Sequence, residues 1–150
     1  MAITTSPQSL FRYEPVTPYP ATITSSAWVR PTDWLSIPSI SSGEQVVYAL
    51  VAVYDNDSNY IAFLCQGNYT VDWGDGTAPQ NYSGGSTASY LYSYSSIDPS
   101  TTTSKGYRQV IVKVTPQAGK TITQFSLTNY GFSNGIAPYG TTFNWIDMQI

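Results

Sequence analysis

From residue 41 onward, apolar and polar positions fall into short runs of strand length separated by turn clusters. Residues 45–54 (QVVYALVAVY) are almost continuously apolar, the pattern of a strand covered on both faces. Asp55-Asn56-Asp57-Ser58-Asn59 is a dense turn cluster, and 60–65 (YIAFLC) is the returning strand. Gly67-Asn68 breaks the chain, and 69–73 (YTVDW) forms a short strand that ends in Gly74-Asp75-Gly76. Asp-Gly between β-formers marks a hairpin turn, because Gly takes positive φ without a Cβ penalty. Residues 83–86 read as a loop, 88–94 (ASYLYSY) alternate strictly, and 97–106 are a polar loop. The clearest strand is 107–115 (YRQVIVKVT), closed by Pro116. Two further strands, 122–127 (ITQFSL) and 143–150 (FNWIDMQI), flank a Gly/Asn/Pro loop with Tyr130, Phe132 and Tyr139. In the last of them Ile146, Met148 and Ile150 alternate, so either Ile150 pairs in a terminal edge strand or the polypeptide continues. Strands at this spacing predict an all-β sandwich.

Residues 1–42 follow a different pattern. Six of the ten prolines lie there, which excludes long helices and central strands and favours extended backbone. Yet Phe11, Tyr13, Tyr19, Trp28, Trp34, Leu35 and Ile37 are large apolar groups that water does not favour. The segment is therefore expected to be an extended arm lying on another surface, either its own sandwich or a neighbouring subunit. The organisation expected is an arm over 1–42, a sandwich over 43–118, and further strands over 119–150 that could begin a following module.

Composition sharpens the fold and removes functions. Charged residues make up only 10 % of the chain, against about 25 % in a typical soluble domain. Hydroxyls fill the gap, with 19 Ser and 18 Thr, and aromatics reach 15 %. Thr and Tyr suit pleated, half-buried surfaces, which again favours strands over helices. A net charge of −3 with no basic run argues against a surface that tracks nucleic-acid phosphates. The chain has no His, so the commonest general base and metal ligand are missing. One cysteine, Cys65, makes neither an intramolecular disulfide nor a structural zinc site. No run approaches the roughly 18 apolar residues of a membrane-spanning helix. The first residues lack the basic start and apolar core of a secretory signal, so synthesis and folding in a cytoplasm are expected.

Residues 68–80 (NYTVDWGDGTAPQ), Tyr90-Leu91-Tyr92 and 106–114 (GYRQVIVKV) together resemble the PKD domain family. The Trp-Gly-Asp-Gly turn is intact, Tyr90 stands where the family often has His, and Tyr92 is retained. The resemblance covers about residues 43–116 and implies a seven-stranded, immunoglobulin-like sandwich that serves as a spacer, adhesion or binding unit and not as a catalyst. A second set of segments is similar to N-terminal regions of bacteriophage tail-fibre and related virion proteins. It comprises Trp28-Val29-Arg30-Pro31-Thr32-Asp33-Trp34-Leu35, Ala52-Val53-Tyr54-Asp55, Tyr69 to Thr77, and 112–119 (VKVTPQAG). That likeness implies a virion structural protein, not an enzyme and without a cofactor. Its arm would dock on other virion proteins, and its subunits would assemble as a homo-oligomer, most simply a trimer. A capsid decoration protein fits the same residues. A carbohydrate-binding or adhesion module, with a host-surface glycan as partner, is the alternative from a different class.

Candidate chemistry is sparse. Asp55, Asp57 and Asn59 have the spacing that opens a calcium loop, but its sixth position is Tyr60 instead of Gly and its twelfth is Gln66 instead of Glu. A hairpin turn is the expectation there. Asp72 and Asp75 flank Trp73, where Asp75 is expected to bond local backbone amides and set the Gly74-Asp75-Gly76 turn. Two Glu and seven scattered Asp form no pair suited to glycoside hydrolysis. Tyr90, Tyr92 and Tyr94 would share one face of a strand, where they could stack on a sugar or pack against neighbouring strands. Arg30, between Trp28 and Pro31, is the candidate for a carboxylate or aromatic-stacking contact in assembly. Three glycosylation sequons, at Asn56, Asn68 and Asn81, are expected to be bare without a secretory route.

Overall fold

The computed structural model describes residues 27–128 and 144–150. Its regular structure is eight strands in two antiparallel sheets: β1 Val47–Val53, β2 Tyr60–Gln66, β3 Tyr69–Asp72, β4 Gln80–Tyr82, β5 Thr87–Leu91, β6 Arg108–Pro116, β7 Gln124–Thr128 and β8 Trp145–Gln149. Five strands form one sheet in the order β4-β3-β6-β1-β8, and three form the other in the order β5-β2-β7. Single 3-10 turns at Tyr94–Ser96 and Pro99–Thr101 are the only helical elements among the described residues. The chain is all-β. The PKD-like resemblance implies seven strands, whereas the described residues carry eight, split five and three.

The core lies between the sheets and is largely aromatic. Phe63 on β2 sits at its centre, with the rings of Tyr69, Trp73, Phe125 and Trp145 at 5.2–6.1 Å. Such offset and edge-on ring pairs each add about 0.5–1.5 kcal/mol beyond the area they bury. β1 and β6 supply Val47, Ala49, Val51, Val53, Val110, Val112 and Val114 from the larger sheet. Alternation explains why these residues meet: positions two apart share one face of a strand.

The continuous apolar run in β1 has a physical cause on its other face. Leu50 and Ala52 point away from the core, yet both are fully buried. Segment 27–42 runs over that outer face, fastened to β6 on one side of β1 and to β8 on the other. A third, non-regular layer thus covers β1, and both of its faces are dry.

Three local expectations change. The strand expected over 88–94 stops at Leu91, and the chain then winds into the 3-10 turn Tyr94–Ser96. Gln80–Tyr82, which the sequence hides among loop residues, pairs with β3 as an edge strand. In β8 the alternation of Ile146 with Met148 is broken by a bulge: Leu50 pairs with Asp147, but Val51 pairs with Trp145. The extra residue, Ile146, lets Trp145 and Met148, three positions apart, both pack on the core.

Candidate functional site

Two regions collect chemistry-bearing side chains: the Trp-Gly-Asp-Gly turn after β3, and the strap formed by residues 27–42. At the turn, Gly74 (φ +76°) and Gly76 (φ +84°) adopt left-handed backbone. Asp72 accepts a bond from the Gly74 N–H at 3.0 Å, and Asp75 accepts from the N–H and hydroxyl of Thr77 at 3.1 and 2.6 Å. The second oxygen of Asp75 takes the Tyr90 hydroxyl at 2.6 Å. Partial burial opposes ionisation of Asp75, but the bonds from Thr77 and Tyr90 outweigh it and hold its carboxyl below the usual range. Both carboxylates are therefore occupied in building the turn, as the sequence leads one to expect of Asp75.

The tyrosines at 90, 92 and 94 do not form a ladder. Tyr90 stacks on Trp73 at 4.9 Å. Tyr92 is 3 % exposed and donates to the Trp73 carbonyl at 2.7 Å, and burial raises its hydroxyl pKa well above the ordinary value. Tyr94, beyond the strand end, donates to the Gly106 carbonyl while the Arg108 guanidinium lies 4.2 Å from its ring centroid. Arg108 also donates to the carbonyls of Tyr94 and Ile97, locking the 92–107 loop to β6.

In the strap, Arg30 reaches Asp147 on β8 at 2.7 Å and donates to the carbonyls of Trp34 and Leu35. Its guanidinium lies 5.4 Å from the Trp34 ring centroid. The carboxylate and aromatic contacts expected of Arg30 in assembly are thus both present within one chain. Trp34 donates its indole N–H to the Tyr107 hydroxyl at 2.6 Å. Gln109, only 2 % exposed, accepts from the Leu35 N–H and donates to the carbonyls of Asp33 and Thr101. Asp33 accepts from the Ser104 N–H at 2.8 Å, which holds its carboxyl below the ordinary range. Trp28 and Val29 remain outside, 71 % and 78 % exposed, with the Trp28 ring 6.2 Å from Trp34. Phe11, Tyr13 and Tyr19, the other aromatic arm residues, lie outside the described residues.

Between strap and turn lies an open groove of about 540 Å³, lined by Leu35, Asp75, Ile97, Asp98, Gln109 and Ile111 among others. The Ser100 N–H bonds the Asp98 carboxylate and lowers its pKa. Among the described residues no group of three or more His, Cys, Asp or Glu is placed to hold a metal ion. Asn59 instead organises its turn with the side chain, bonding the Tyr54 N–H and carbonyl and the Asp57 carbonyl from a left-handed backbone at φ +42°. Cys65 is buried, and desolvation pushes its thiol up to about 11, so it stays protonated and unreactive at neutral pH.

Sequence reasoning singled out Arg30 and Trp34 but not their receptors. Gln109 falls on the polar beat of 107–115 and looks like a solvent-facing residue, and Asp147 looks like any edge-strand charge. No family model, no curated protein and no solved structure matches this chain.

Proposed function

We propose that this protein is a structural component of a bacteriophage particle, of the tail-fibre or adaptor kind. Its N-terminal segment docks, and an immunoglobulin- or PKD-like sandwich serves as the rigid module. The observation that carries this reading is the fastening of residues 30–35 to the sandwich beside an outward-facing Trp28-Val29 pair. A chain that leaves a rigid body next to exposed apolar groups suits attachment to another protein. The Trp-Gly-Asp-Gly turn, with Tyr92 bonded to its tryptophan, supports the PKD-like assignment of the module. The likeness of 28–35 and 69–77 to tail-fibre N-terminal regions supplies the particle.

The docking segment on this reading is 1–26, continued by Trp28 and Val29, because 30–35 belong to the sandwich. Light scattering coupled to size exclusion at low micromolar concentration tests it, on the full chain and on a chain lacking 1–26. A discrete oligomer, most simply a trimer, that falls to monomer without 1–26 is the expected result. Monomers in both cases overturn self-assembly through this segment and favour the glycan-binding alternative.

A further inference from the structure

An aspartate followed by glycine can rearrange without an enzyme. The nitrogen of the glycine attacks the aspartyl Cγ, the Cγ–OH bond breaks, and the hydroxyl leaves with the amide proton as water, closing a five-membered succinimide. Hydrolysis takes up one water and opens the ring on either side. One opening restores aspartate, and the other gives isoaspartate, in which the main chain runs through the side-chain carbon. Glycine favours the closure because no Cβ shields its nitrogen. Asp75-Gly76 is the only Asp-Gly or Asn-Gly pair among the described residues, and Asn134-Gly135 lies outside them.

The folded turn treats the two reacting groups differently. The nitrogen is open: Gly76 is exposed, nothing stands within 4 Å of its Cβ position, and its N–H makes no hydrogen bond among the described residues. The carboxyl is clamped. Its Oδ1 accepts from the Thr77 N–H and hydroxyl at 3.1 and 2.6 Å, and its Oδ2 accepts from the Tyr90 hydroxyl at 2.6 Å. These bonds favour the ionised form, and a carboxylate has no hydroxyl to lose as water. Tied at one oxygen to the turn and at the other to β5, the side chain is also denied free rotation of Cγ onto the Gly76 nitrogen. Protection of this peptide bond therefore rests on the carboxyl alone.

We infer that Asp75-Gly76 is a latent isoaspartate site, guarded by the Tyr90 hydroxyl and the Thr77 bonds, at which an opening of the turn is fixed covalently. An isoaspartyl link adds one methylene to the main chain and takes the carboxylate out of its place between Thr77 and Tyr90. The turn has no slack to absorb it. Gly74 lies so close to β6 that an added Cβ would stand 2.3 Å from the Ile111 carbonyl oxygen, and Tyr92 ties the Trp73 carbonyl to the core at 2.7 Å. A turn that has opened and rearranged therefore does not close again in its first form. The inference goes beyond the proposed assembly role and does not depend on it.

Ageing of the purified full chain at neutral pH, below its unfolding temperature, tests it. Isoaspartate at position 75 is quantified by peptide mapping with electron-transfer fragmentation, and Asn134-Gly135 is read separately in the same map. Wild type is compared with Tyr90→Phe and Thr77→Val, which each remove one hydroxyl from the clamp, and with a synthetic peptide of residues 68–80. Val51→Ala is the control, a cavity in the buried core that lowers stability without touching the clamp. Near-UV spectra establish that each chain is folded. The peptide is expected to rearrange fastest and folded wild type many-fold more slowly, with Tyr90→Phe and Thr77→Val several-fold faster than wild type. Acceleration in either clamp variant beyond that of Val51→Ala supports the guard. No such acceleration in either overturns it, as does a wild-type rate equal to that of the peptide. A peptide that forms no isoaspartate overturns the site itself.

Discussion

The Trp-Gly-Asp-Gly turn and the strap are held by opposite strategies. The turn is local: most of its bonds, Asp72 to Gly74 and Asp75 to Thr77, join residues two apart. The strap is held by residues more than seventy positions away, on β6, β8 and the 92–107 loop. A local device forms whenever its few residues come together, while a remote one forms only after the sheets have assembled. The turn is therefore suited to setting the fold, and the strap to closing over the sheet once it has formed.

The largest expected effect breaks the turn. At Gly74 an added Cβ would stand 2.3 Å from the Ile111 carbonyl oxygen and 2.9 Å from its carbon, both backbone atoms of β6. Gly74→Ala thus incurs about 1–2 kcal/mol for left-handed backbone and, in addition, forces the turn away from β6. Gly76 has the same kind of backbone, φ +84°, but nothing within 4 Å of its Cβ position, so Gly76→Ala incurs only the first part. Urea unfolding midpoints of the two variants separate conformational strain from close approach. Equal midpoints would mean that the turn does not press on β6.

The strap gives a smaller and differently distributed effect. Gln109→Leu keeps the volume but leaves the Leu35 N–H and Asp33 carbonyl without their partner, a loss of about 1–3 kcal/mol for groups left unsatisfied. The expected signature is faster amide exchange and proteolysis within 30–40 while the near-UV spectrum of the Phe63 and Trp73 core stays native. Loss of the core signal together with the strap would contradict the two-layer description.

The same contrast explains what could be read in advance. The hairpin at Asp75-Gly76, the dry β1 run and the alternating β6 were legible because the pattern that marks each is written within about ten residues. Three features were not. β4 is three residues long and polar, and its place depends on Tyr82 stacking on Tyr69 at 5.3 Å. The bulge at Ile146 answers the need to bring Trp145 to Phe63, which no local pattern announces. Gln109 carries no local sign of its burial, because a buried receptor and an exposed glutamine are the same residue type on the same polar position of the strand. Of the candidate site, Arg30 and Trp34 were legible as unusual residues, but their partners were set by tertiary packing. Tyr90, Tyr92 and Tyr94 have the spacing of one strand face, but the strand ends at Leu91.

The smallest effect concerns a single tie from the turn to the opposite sheet, the bond from Tyr90 to Asp75 at 2.6 Å. Removing it with Tyr90→Phe is expected to lower stability by about 1 kcal/mol near neutral pH, since the bond is charge-assisted but partly exposed. Its pH dependence has two limbs. The pKa of Asp75 is lowered from 3.8 on folding, so its contribution is complete above that value and is lost as pH falls from there through the lower folded pKa. The pKa of Tyr90 is raised from 10.0, by burial first and by the Asp75 carboxylate second. Its contribution is therefore complete below 10.0 and is lost as pH climbs through the higher folded pKa. The difference between wild type and Tyr90→Phe should form a plateau from about pH 4 to pH 10 that falls on both sides. Unfolding midpoints measured across that range check it. A difference that stays constant into acid would show that Asp75 titrates alike in both chains, and hence that the Tyr90 bond does not depend on its ionisation.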